Sequence, residues 1–135
     1  MKKLFPVLLA VLALVASSLA CSLTEMSLDN ARMAFDENGE SATSTFSSTD
    51  VFYAVADLSN APTGTKVVAK WIAVNIEGEE PGSVFQEQTL DITEDNFSGI
   101  IYFQLSNDTG WPNGDYKVEL YLNDALAQTV TFNVQ

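Results

Sequence analysis

From Tyr116 onward the chain alternates strictly: Val118, Leu120 and Leu122 share one face, while Lys117, Glu119 and Tyr121 share the other. Successive side chains leave opposite faces of an extended backbone, so a period of two marks a half-buried β-strand. Asn123-Asp124 follows, a pair that tolerates the positive φ of a tight hairpin turn. Beyond it Leu126, Val130, Phe132 and Val134 share a face against Thr129, Thr131 and Asn133. Asp115 to Gln135 therefore predicts a strand, a hairpin turn and a terminal strand.

The same period runs back through the chain. Phe97 to Leu105 sets Phe97, Ile101, Phe103 and Leu105 against Ser98, Tyr102 and Gln104, with Ile100 the one apolar residue on the outer face. Lys66 to Ile76 sets Val67, Ala69, Trp71 and Ala73 against Lys66 and Lys70. Val51 to Leu58 turns Phe52, Ala54, Ala56 and Leu58 inward, with Asp57 facing solvent. Weaker strands are predicted over Val84 to Ile92 and Ala31 to Phe35. Turn-forming residues separate them: Ser59 to Gly64, Glu77 to Gly82 and Asn107 to Gly114. The polar run Ser41 to Thr49 reads as an extended linker or edge strand. About seven short strands without a long amphipathic helix predict an all-β protein, a single antiparallel β-sandwich over residues 31–135.

The N-terminus carries a different signal. Lys2 and Lys3 precede an apolar run from Leu4 to Ala16, and Ser17-Ser18-Leu19-Ala20 supplies small residues after it. The run is shorter than the roughly 20 residues that a spanning helix needs. Residues 1–20 thus read as a cleaved secretion signal. Cys21 comes next and is the only cysteine. Ser18-Leu19-Ala20-Cys21 resembles the bacterial lipobox, with Ser18 where that motif usually has Leu. The resemblance implies that Cys21 is lipidated and that residues 21–30 form the lipidated N-terminus and tether. Each buried methylene contributes about 0.8 kcal/mol, so several acyl chains hold a protein on a bilayer. Ser22 after the cysteine, by similarity to sorted lipoproteins, points to the outer membrane or cell surface. Without a second cysteine no disulfide assists folding, and core packing must suffice.

Composition excludes several chemistries. The sequence has no histidine, which removes Ser-His-Asp and Cys-His catalysis. Its 18 Asp and Glu stand against six Lys and Arg, two of them in the signal, so DNA or RNA is not an expected partner. No Ser-x-x-Lys pair and no Gly-rich phosphate loop is present. Asp36-Glu37-Asn38-Gly39-Glu40 imitates a calcium loop, but Ser41 occupies the position that requires Gly. Glu77, Glu79 and Glu80, and likewise Asp91, Glu94 and Asp95, read as solvated loop carboxylates. The expectation is a protein without catalytic residues, metal or cofactor.

Trp71 in a central strand, followed by Gly114-Asp115-Tyr116 at the opening of another, resembles an immunoglobulin-like sandwich. That resemblance implies that Trp71 fills the core and that Tyr116 is a corner tyrosine bonding back to its own loop. The run from Trp111 to Val134 is similar to small immunoglobulin-like domains of bacterial surface lipoproteins. No bridging cysteine pair accompanies it, and the fold alone transfers no activity.

The expected function is that of a lipid-anchored, non-catalytic binding or structural module in the cell envelope. Its partner would be another envelope protein or a second copy of itself. The candidate interaction patch is Val68, Ile72, Val74 and Tyr121, apolar residues on the outer faces of neighbouring strands, unless residues 77–90 or the tether cover it. The alternative is a carbohydrate-binding module using Trp111 and exposed tyrosines, with Trp111 as a stacking platform.

Overall fold

The computed structural model describes residues 25–135; the predicted signal peptide and Cys21 lie outside them. Eight strands form: β1 (Ser27–Ala34), β2 (Thr45–Phe46), β3 (Phe52–Ala61), β4 (Lys66–Ile76), β5 (Ser83–Asp91), β6 (Phe97–Leu105), β7 (Gly114–Leu122) and β8 (Ala125–Val134). No helix forms among the described residues. The strands make two sheets, β1-β3-β6 and β2-β8-β7-β4-β5, and the alternating apolar faces meet between them. An all-β sandwich is the result the period of two requires.

Three features depart from the sequence reading. The eighth strand is β2, inside the polar run 41–49, and it pairs in parallel with β8 (Thr45 opposite Asn133) rather than antiparallel. The run crosses from one sheet to the other, bridging Ala42 to Ala34 before it reaches β8. Second, β1 starts at Ser27, so residues 27–30 of the predicted tether are already part of a sheet, with Leu28 in the core. Third, Leu126 is 53% exposed instead of facing inward. Leu120 opposes Gln128 while Tyr121 opposes Leu126, which leaves Ala127 as an extra residue. One inserted residue reverses the parity beyond it and turns Leu126 to the outside.

The predicted hairpin forms as the residue types require: Asn123 and Asp124 both have positive φ, 48° and 70°. Asn123 also ties the turn to β4, since its side-chain oxygen accepts from Lys66 N at 2.9 Å and its own N–H donates to Lys66 O at 2.9 Å. Gly114 opens β7 at φ 144°, and a Cβ there would collide with the carbonyl oxygen of Asn75.

Aromatic rings dominate the core. Trp71 is fully buried, and it lies in a cluster with Phe52 and Phe132. Phe46 from β2 packs edge-on against both of those phenylalanines. Each ring withdraws a large apolar area from water, and edge-to-face contacts add a little more. The hydroxyl of Tyr116 donates to Pro112 O at 2.6 Å, the corner bond that the resemblance implied.

Candidate functional site

Trp111 stands at one end of this core and is only 8% exposed. Its ring stacks on Phe52 at 4.5 Å, Phe85 tilts against it at 6.1 Å, and its indole N–H donates to Asp50 O at 3.0 Å. A ring so enclosed offers a sugar little surface, only the part that lines a cavity of about 200 Å³ with Phe85, Pro112 and Tyr116. Phe85 reaches it because β5 carries an extra residue there: Trp71 opposes Gln86 while Ile72 opposes Val84.

The predicted patch is partly assembled and largely covered. Val68 and Tyr121 are direct cross-strand neighbours, but Val68 is 8% exposed and Ile72 only 4%. Lys70 lies over the Tyr121 ring at 4.6 Å, and Glu87 joins it around Val68. Long charged side chains lay their apolar stems on such surface and keep their heads in water. Val84 of β5 stands opposite Ile72, so residues of the 77–90 stretch do flank the patch. Val74 is apart from the other three, at a bulge of β4 beside Asp115 and Thr131. The Tyr121 hydroxyl donates to Glu119 at 3.1 Å, and this bond pushes its pKa up.

The acidic loop after β1 is closed on itself. Asp36 accepts from the backbone N–H groups of Ser41 and Glu40, which holds its carboxyl below the ordinary carboxylate range. Arg32 donates to the carbonyls of Asn38 and Gly39 and approaches Asp57 at 3.6 Å. These groups serve the loop.

An exposed surface lies on the opposite flank, where β6 and β5 end their respective sheets. Among the described residues β6 pairs only with β3 and β5 only with β4, so each leaves one edge unpaired there. Ile100 and Tyr102 stand on the outer face of β6, 47% and 43% exposed, and Tyr102 leans on half-buried Tyr53 at 6.1 Å. A groove of about 450 Å³ runs beside them, bounded by Ile100, Ile101 and Tyr102, by Phe97, and by Leu90 to Glu94. Three consecutive β6 residues line it, which places it along the edge of the strand rather than on either face. Gln88 spans the flank: it accepts the Trp71 indole N–H at 2.8 Å and donates to Gln104 O at 2.8 Å. The sequence signal for this surface was Ile100, the one apolar residue out of place in its strand.

No family model and no curated protein matches the chain. Solved structures are similar in fold. The Pseudomonas fluorescens alkylpurine DNA glycosylase bound to DNA aligns with a TM-score of 0.55 at 13% identity, over 83% of this chain and 31% of that one. A Listeria innocua β-glucosidase aligns at 0.54 and 9% identity, over 84% of this chain and 16% of its own. The Kluyveromyces marxianus β-glucosidase aligns at 0.52 and 16% identity, over 84% and 15%. The chain thus spans less than a third of each of these proteins, and at such identities the likeness is one of fold alone.

Proposed function

We propose that this protein is a lipid-anchored, non-catalytic binding module of the bacterial cell envelope, built on an immunoglobulin-like sandwich. The observation that carries the reading is the flank of β6, where Ile100 and Tyr102 stand exposed beside an apolar groove on a chain rich in carboxylates. Exposed apolar patches bounded by polar surface mark contact sites on small domains, and aromatic residues are enriched at them. Three features support the immunoglobulin-like assignment: β1-β3-β6 facing β8-β7-β4, Trp71 buried between the sheets, and the Tyr116 corner bond. The lipid anchor is supported by Ser18-Leu19-Ala20-Cys21 following the apolar run. With β1 starting at Ser27, such an anchor would keep the domain close to its bilayer.

A second reading, carbohydrate binding, is supported by the Tyr53–Tyr102 pair and loses Trp111. One experiment addresses both. A photo-cross-linking residue in place of Tyr102, in cells, should join the protein to an envelope protein, and Ile100→Asp should abolish that product. Adducts to glycan instead would transfer the site to the second reading; no adduct would remove the binding role of this flank. Cys21→Ser should release the protein from the membrane fraction, and retention there would overturn the anchor.

A further inference from the structure

We infer that the free edge of β6 accepts an extended, cationic and apolar segment of the partner protein as an added β-strand. This rests on the binding-module reading and names the partner's chemistry. The two sheets differ in width, three strands against five. In the wider sheet the inward-facing residues of β5 are less covered than those of its neighbour β4. Gln86, Gln88 and Leu90 oppose Trp71, Ala69 and Val67 and so point toward the core, yet Gln86 is exposed while Gln88 and Leu90 are half-buried. A strand laid along β6 would bring the narrow sheet to four and cover that strip. Edge strands offer a row of backbone donors and acceptors, which is the basis of strand addition between chains.

The groove fixes the chemistry of what enters. The apolar part of its lining includes Leu90, Ile92, Phe97 and Ile100, which suit an apolar side chain on the incoming strand's inner face. Outer-face residues of that strand would lie beside Ile100 and Tyr102. Asp91 and Glu94 line the same groove, no Lys or Arg does, and neither carboxylate takes part in an ion pair among the described residues. Lys66 of β4, the direct cross-strand partner of Asp91, is the nearest base in register. With 18 acidic residues against six basic ones, a second copy would bring like charge to this edge, whereas a lysine- or arginine-bearing strand would be attracted. The Gln88 side chain now holds the Gln104 carbonyl, and an incoming N–H would replace it there.

The test uses the full chain in detergent micelles and an eight-residue capped peptide alternating valine and lysine, read by backbone amide chemical shifts. Shifts are expected at Ser98 to Gln104 and Leu90 to Glu94. Ile100→Asp should weaken binding at least about tenfold, equivalent to about 1.4 kcal/mol. The same peptide with glutamate for lysine should not bind, nor should one N-methylated on alternate residues along its pairing edge. Equal binding of the glutamate peptide would overturn the cationic partner, and equal binding of the N-methylated peptide would overturn the strand ladder. Shifts confined to the Phe85 and Trp111 end would place the contact elsewhere. Self-association through β6 without peptide would make a second copy the occupant and overturn the inference. If the lysine peptide fails while the cross-link from position 102 to an envelope protein persists, strand addition is wrong and the module reading stands; loss of both removes that reading too.

Discussion

The aromatic end of the sandwich and the β6 flank use the same residue types to opposite ends. At the aromatic end, Phe52, Trp71, Trp111, Tyr116 and Phe132 lie against one another, and each polar atom on those rings has a partner in the chain: Asp50 O, Gln88 and Pro112 O. On the flank, Ile100 and Tyr102 sit at an open strand edge with much of their surface in water. Neighbouring topology makes the difference. Rings enclosed between two sheets exclude water and lock their hydrogen bonds, whereas the same kind of ring at an unpaired edge withdraws little area and stabilises little. One region holds the fold, and the other keeps much of its apolar surface in water.

The sharpest way to break this comparison is Trp71→Ala, which should cost about 3–5 kcal/mol as a large-to-small core change. Denaturant unfolding checks it, and a loss below about 1 kcal/mol would deny that Trp71 anchors the core. Next comes Gly114→Ala, where the φ of 144° and the Asn75 carbonyl leave no room for a methyl group. About 1–3 kcal/mol is expected there from the strained backbone, read by thermal melting.

Tyr116→Phe sharpens the comparison at the level of one hydrogen bond and should cost about 0.5–1.5 kcal/mol. Burial, and after it the charge of Glu79, push the Tyr116 phenol above its ordinary value. The folded state thus holds this proton more tightly than the unfolded state. The stability linked to it is complete below about pH 10, the unfolded pKa, and is lost as pH rises through the folded one. The Phe variant should therefore lose less stability than the parent between neutral and strongly alkaline pH, and an equal loss would detach Tyr116 from the effect. The smallest change belongs to the flank: Tyr102→Ser should alter stability by no more than about 0.5 kcal/mol. A larger loss would mean that this surface belongs to the core after all.

Much of the fold was legible in the order of side chains. The strand faces around Phe52, Trp71, Ile101 and Val118 follow from alternation, and the Asn123-Asp124 turn follows from the φ those residues tolerate. Tyr116 was legible because its partner, Pro112, lies within the same loop. The candidate site was harder. Val68 and Ile72 alternate onto an outer face, which predicts exposure; Lys70, Glu87 and Tyr121, from three different strands, gather around Val68, and Val84 and Lys117 stand on either side of Ile72. Trp111 sits in a polar stretch and reads as a loop residue, yet Phe52 and Phe85 enclose it from 59 and 26 positions upstream. Leu126 went wrong through a single extra residue in a ladder, which alternation within one strand does not register.

By itself the sequence determined the all-β character, the inward faces of β3, β4, β6 and β7, the hairpin that closes the chain, and the acidic surface. These depend on residue type and on the two-residue period of an extended backbone, both local quantities. Tertiary structure alone decided that three strands face five, that β6 and β5 each end a sheet on the same flank, and that Gln88 spans the space between them. Which strand becomes an edge depends on pairing between segments far apart in the chain. That pairing is settled by how the whole set of faces can be buried at once, and it leaves no mark on the residues of any single strand.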